Sequence, residues 1–258
     1  MAVISSPKPH IFVIPGAWHP ASCMDDFLKS LEAAGFSAQA ISLRSVGNRD
    51  VTVQDDEAQV KAVVTPLIDA GEDIVIVAHS YGGVVGTGVI AGLDKRSRDA
   101  QGLKGGILGI IYLASFMPLE GETLYGLAGG KWLPYIVADN AETEGVTYTQ
   151  GQKEVFYNDC SAEVAERAIA SLKGHSVQGV RTSPSVIGWK DMAYNGRRGY
   201  IRCLQDNALP IKMQDQLLDR SGVEWVVRTL DASHSPFLSM PDELTGVVAE
   251  MTVEFAKN

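Results

Sequence analysis

The chain has 258 residues, 45% of them hydrophobic and 21% charged, with 22 lysines and arginines against 31 aspartates and glutamates, a net charge of -9. A chain this long buries roughly 70–75% of its unfolded surface and needs neither disulfide nor metal to fold. No run of 18 apolar residues predicts a transmembrane helix, and the acidic balance argues against nucleic acid or an anionic membrane as partner.

Met1 to Pro9 lacks the basic start and apolar stretch of a secretory signal. Cys23, Cys160 and Cys203 are widely spaced and odd in number, and neither Cys-x-x-Cys nor His-Glu-x-x-His occurs. The sequence therefore predicts free thiols and no zinc site. The expectation is a cytoplasmic protein with a small-molecule substrate, no metal or other cofactor, and a monomeric or homodimeric state.

In chain order, Ile11 to Ile14 is a first strand. Ala21 to Ala34 sets Phe27, Leu28 and Leu31 on one helical face, and Gly35 ends it. Phe36 to Leu43 reads as a second strand. Val53 to Ala70 reads as a helix with Val60, Val63, Val64, Leu67 and Ile68 inward. Ile74 to Val77 looks like a strand buried on both faces, as in a parallel sheet. A glycine-rich helix, Tyr81 to Leu93, and a fourth strand, Ile107 to Leu113, follow. From Met117 to about Arg198 the alternation stops. That segment is rich in tryptophan and tyrosine, shows one clear helix from Ser161 to Leu172, and reads as an inserted lid. Strand and helix then return with Tyr200 to Leu204, Pro210 to Arg220, Val223 to Leu230 and Pro241 to Phe255. Six strands separated by helices predict a doubly wound α/β fold with a mostly parallel sheet. Residues 1–116 and 199–258 would form its core, with 117–198 inserted. Ligands in such sheets sit beyond the carboxyl ends of the strands.

Those ends carry the chemistry. Strand Ile74 to Ala78 runs into His79-Ser80-Tyr81-Gly82-Gly83 and then a helix. The segment Ala78-x-Ser80-x-Gly82 has the small-x-Ser-x-Gly form of a nucleophile turn, with Ala where the strict motif has Gly. The turn is so tight that the residues two before and two after the serine must be small. Ser80 is the expected nucleophile, and neighbouring His79 is read as packed beneath the turn. A serine hydroxyl needs a base. His10 lies at the wrong end of the sheet and His175 in a polar stretch of the insertion, whereas His234 follows the last strand. Asp206, directly after Tyr200 to Leu204, is the expected carboxylate for His234, with Asp231 as the rival. The order Ser80, Asp206, His234 is the order used in this fold. After the first strand comes Pro15-Gly16-Ala17-Trp18-His19. Gly16 would permit a sharp turn, and the Ala17 and Tyr81 amides would form a two-donor oxyanion hole. A phosphate-binding glycine loop is the competing reading, but neither its glycine pattern nor its lysine is present. Gly16, Trp18, His19, Phe116, Trp132 and Trp189 are candidates for the pocket wall.

Phe12 to Trp18, Ala78 to Gly83, Arg202 to Pro210 and Ala232 to Leu238 together resemble the α/β-hydrolases. More narrowly they are similar to the small subgroup of plant methylesterases, hydroxynitrile lyases and related microbial and fungal esterase-like proteins. The resemblance implies a helical cap over the pocket and a catalytic Ser80, Asp206 and His234. Two departures set the chain apart from the lyases. Gly16 stands where those enzymes have a threonine hydroxyl, and Ser235-Pro236 where they carry a lysine. The leading expectation is a serine hydrolase of an apolar or aromatic ester or lactone, acting through an acyl-enzyme on Ser80. The alternatives are cofactor-free carbon–carbon cleavage, decarboxylation or elimination with His234 as base, cofactor-free oxygenation, and a receptor that retains the triad.

Overall fold

The computed structural model describes residues 8–257; most of the N-terminal stretch read for a leader, residues 1–7, lies outside them. The chain opens with β1 (His10–Ile14), a short 3-10 turn at Ala21–Met24 and α1 (Asp25–Ala33). Then come β2 (Ala38–Ala40), α2 (Val53–Asp69), β3 (Asp73–His79), α3 (Gly82–Val89), α4 (Lys95–Ala100) and β4 (Gly106–Leu113). Residues 117–198 contain α5 (Leu124–Leu127), β5 (Ile136–Val137), α6 (Ala141–Glu144), β6 (Val146–Thr149), α7 (Gln152–Phe156), α8 (Ala162–Ser171), β7 (His175–Ser176) and α9 (Val177–Arg181). The chain closes with β8 (Arg198–Cys203), α10 (Ile211–Ser221), β9 (Val226–Leu230), α11 (Pro236–Ser239) and α12 (Pro241–Phe255).

Six strands form one sheet in the order β2-β1-β3-β4-β8-β9, and every pairing in it is parallel. Side chains alternate across it. Ile11, Val13, Val75 and Val77 join α1, α11 and α12 in one apolar cluster. Phe12, Ile14, Ile74 and Ile76 join α2, α3 and α10 in the other. Burial on both faces explains the unbroken β-branched runs. No helix of the described residues is long and apolar enough to cross a membrane.

Several expected boundaries move. β2 keeps three residues of its expected eight, because it lies at the sheet edge and pairs only with β1. Val63 on α2 is exposed, since the buried stripe follows Val53, Val60, Val64 and Ile68. The α4 helix was not legible: four of its six residues are charged and none is buried, and its signal is Asp94 capping the Ser97 amide at 2.7 Å. The insertion is not purely helical. β5, β6 and β7 pair antiparallel, and strands of two to four residues are too short to show a period. His175 in β7, expected in a polar stretch, is fully buried. Its ring packs 4.5 Å from the Tyr81 ring and 5.8 Å from that of Trp18, and burial pushes it down to about 3.

Two measurements test this packing. A methyl group on Gly109, mid-β4, would meet the Phe255 ring and stand 2.7 Å from the Arg197 carbonyl oxygen, which the sheet holds in place. Gly109→Ala should cost about 1–3 kcal/mol, read as a lower denaturant midpoint at unchanged m. For His175 the sign follows from burial. Below pH 6.5 the unfolded chain takes up a proton that the folded chain refuses until about pH 3. Stability is therefore lost as pH falls through that window, by about 1.4 kcal/mol per pH unit for this residue. His175→Gln should flatten the wild-type slope between pH 6.5 and 4 by about one proton.

Candidate active site

Ser80 follows β3 with φ 53°, the left-handed region that non-glycine residues rarely occupy. Neighbouring elements hold it there. Its amide donates to the Leu113 carbonyl at 3.2 Å, and its own carbonyl accepts from Ser115 Oγ at 2.7 Å and from the Phe116 and Gly83 amides. The small residues around it are required by space. A Cβ on Gly82 would fall on the carbonyls of Ile14 and Pro15, and one on Gly83 would strike Ser115 Oγ. A Cβ on Gly86 would come 3.2 Å from that of Ala78. The strand–turn–helix expected from the motif is present, and Ala fits at 78.

His234 lies in the loop between β9 and α11, and Asp206 in the loop after β8. His234 Nδ1 and Asp206 Oδ2 are 2.7 Å apart, and both residues are buried. The other carboxylate oxygen accepts the Ala208 and Leu209 amides at 2.8 Å each. A carboxylate only accepts, so Nδ1 carries the imidazole proton and Nε2 keeps its lone pair. The rival Asp231 accepts a hydrogen bond from Gln205 at the surface and has no bond to His234. His79 is buried and donates Nε2–H to the His234 carbonyl at 2.8 Å. Burial holds it well below the ordinary histidine value, and the neighbouring His234 and His19 add to that. It stays neutral and steadies the backbone of His234. Among the described residues no hydrogen bond joins Ser80 and His234; the two line one cavity.

In the loop after β1 the conformational strain sits elsewhere than expected. Gly16 has no positive φ; Trp18 does, at 65°. Such a backbone costs on the order of 1–3 kcal/mol. Gly16 is needed for space instead, because its Cβ would stand 3.0 Å from Ser80 Cβ and 3.1 Å from His79 Nδ1. Ala17 and Tyr81 both line the cavity, and neither backbone amide donates a hydrogen bond among the described residues. His19 is buried, donates Nδ1–H to the Ala17 carbonyl at 2.7 Å, and accepts from the Tyr157 hydroxyl at Nε2 at 2.7 Å. Burial pushes its imidazole down to about 4, against the Ala17 bond, which raises it.

The cavity has a volume of about 110 Å³. Of the candidates for the pocket wall, Trp18, His19, Phe116 and Trp132 line it. Gly16 and Trp189 do not. Trp189 is fully buried beside Trp225, at 5.7 Å, and its carbonyl accepts from the buried Arg198 side chain. Sequence reasoning missed Tyr125, Tyr135, Phe156, Leu209 and Met213. Leu209 and Met213 follow Asp206 so closely that their place beside the site was available from the sequence. Among the described residues no group of histidine, cysteine and acidic side chains could hold a metal ion.

The chain is 28% identical over 256 residues to the probable hydrolase R7 of a Phoma species, covering 95% of this chain and 98% of that one. It is 24% identical over 261 residues to methylesterase 7 of Arabidopsis thaliana, covering 95% and 96%. The crystal structure of a pyrethroid hydrolase from Sphingobium faniae superposes with a TM-score of 0.75 at 22% identity, over 97% of this chain and 99% of that one. At that identity the likeness shows the fold. A model of the alpha/beta hydrolase family matches residues 11–247, so the sheet and the segment inserted in it fall within one family description, and the chain belongs to the alpha/beta hydrolase family.

Proposed function

We propose that the chain hydrolyses carboxylic esters or lactones of apolar or aromatic small molecules through an acyl-enzyme on Ser80. The observation that carries this reading is the buried His234–Asp206 pair, 2.7 Å apart, on the same apolar cavity as Ser80. His234 Nε2 takes the Ser80 proton as Oγ attacks the carbonyl carbon. The Ala17 and Tyr81 amides hold the oxygen that gains charge. Asp206 keeps the imidazole in the useful tautomer and stabilises its cation. His234 then protonates the departing alcohol, and the same steps with water release the acid. Residues 117–198 act as a cap on a core of 1–116 and 199–258, and supply aromatic walls through Tyr125, Trp132, Tyr135 and Phe156. Relatives named as a hydrolase and a methylesterase support the reaction class.

Ser80→Ala should keep the melting temperature nearly unchanged while cutting turnover of aryl or methyl esters by about 10⁴–10⁶. A fluorophosphonate should label wild type at Ser80 alone. Asp206→Asn should lower kcat by roughly 10⁴, and Asp231→Asn by less than about tenfold; the reverse result would move the carboxylate to the last loop. Mass spectrometry of enzyme quenched during turnover should find an acyl adduct on Ser80. Turnover of a β-keto acid with no adduct, and inactivity on every ester and lactone tried, would replace hydrolysis with decarboxylation.

A further inference from the structure

The turn Gly16–His19 is closed by the His19 amide on the Gly16 carbonyl at 3.4 Å. Its third residue, Trp18, takes the φ of 65° that a turn of this kind usually gives to glycine. A bulky residue persists in that conformation only where its surroundings fix it. Here the fixing groups come from 117–198. The Lys173 amide donates to the Trp18 carbonyl at 3.0 Å. The Trp18 indole donates to the Thr147 carbonyl at 3.2 Å and lies 6.1 Å from the Phe156 ring. The Tyr157 hydroxyl donates to His19, and His19 donates to the Ala17 carbonyl, each at 2.7 Å. Tyr157 is fully buried and lies outside the cavity wall, so it touches no substrate.

We propose that the cap is a working part of the oxyanion hole, with Tyr157 as a positioning residue that acts through His19 to hold the Ala17 amide toward the cavity. With the Ala17 carbonyl tied by His19 and the turn closed behind it, the peptide planes on both sides of Ala17 lose their freedom to rotate. A cap that merely covered the pocket would need no such bonds to the turn beneath it. This inference rests on the reading that the Ala17 amide stabilises the oxyanion.

The test compares an oxygen ester with its thionoester, whose sulfur accepts hydrogen bonds poorly and draws little from an oxyanion hole. In the full chain, Tyr157→Phe should lower kcat for the oxygen ester roughly tenfold, short of the 10²–10³ lost with a whole donor, and leave KM within about twofold. The preference for oxygen over sulfur ester in kcat/KM should shrink by a similar factor. Lys173→Pro removes the amide that holds Trp18, at an exposed residue whose predecessor already has the extended backbone that proline requires (φ −61°, ψ 145°). It should shrink the preference too, and it decides the matter if the phenylalanine variant does not fold. Equal slowing of both substrates, or an unmoved preference in the folded variants, overturns this inference alone. A wild-type chain inert toward every ester overturns the hydrolase reading, and this inference with it.

Discussion

The contact between Gly82 and the end of β1 sets the geometry of everything around it. A side chain at 82 would occupy the positions of the Ile14 and Pro15 carbonyls, so α3 can begin only because nothing projects there. That close approach brings the turn after β3 against the turn after β1. Gly16 completes the fit by letting its backbone lie against Ser80 Cβ. The two loops therefore pack as one body, and the Ala17 and Tyr81 amides that border the cavity come from its two halves. The left-handed backbone of Ser80 is held within this packing by its bonds to Leu113, Ser115 and Phe116, while that of Trp18 is held by bonds from the inserted segment. A parallel sheet collects the remaining groups at the same edge, since β8 and β9 also end there and carry Asp206 and His234 in their following loops.

Burial sorts the histidines of this region chemically. His19, His79 and His175 are fully buried, and each is driven toward the neutral form by loss of solvent. His19 has its Nε2 occupied by Tyr157, and His79 spends its Nε2–H on the His234 carbonyl. His175 has aromatic neighbours and no hydrogen-bond partner for its ring nitrogens among the described residues. His234 alone has a carboxylate on Nδ1 together with a place on the cavity wall. A proton arriving at its Nε2 creates a cation that Asp206 can stabilise. The same proton on any of the other three would have no anion to face. This contrast, more than sequence position, fits His234 to the role of base.

The centre of the parallel sheet was legible because β1, β3 and β4 are largely apolar, β-branched runs buried on both faces, and the candidate site residues lie in the turns and loops that follow β1, β3, β8 and β9. Asp206 could be preferred over Asp231 because a residue three positions from His234 on the same loop is poorly placed to reach its Nδ1. The purpose of Gly16 was misread: the sequence shows a glycine but not whether it is there for conformation or for space, and here Trp18 takes the unusual φ while Gly16 makes room. The insertion was least legible. Its strands are two to four residues long, below any readable period. Its aromatics divide between cavity wall and internal packing, as Trp132 and Trp189 show, according to contacts made far along the chain. His175 was misplaced for the same reason, since its burial depends on Trp18 and Tyr81, more than ninety residues away.

The chemistry of the cavity wall also limits what kind of selectivity this site can have. Among the described residues lining it, Lys131 is the one lysine, arginine or acidic side chain, and it is itself exposed at the surface. The remainder is aromatic and aliphatic. Affinity must then come mainly from apolar area removed from water, roughly 25 cal/mol per Å². Discrimination on those terms is shallow, about 1–3 kcal/mol for a methylene gained or lost, and much steeper only where a buried polar group would be left unpaired. Beyond Ser80, His234 and the two amides, few polar groups face the substrate, so the site has little means of rejecting one apolar ester in favour of another of similar shape. Selection falls instead to the outline of the wall, which Tyr125, Trp132, Tyr135 and Phe156 draw from the inserted segment, while the reacting groups stay on the sheet. Changes in that segment can therefore alter the range of esters accepted, provided they leave intact its bonds to the turn at Trp18 and His19.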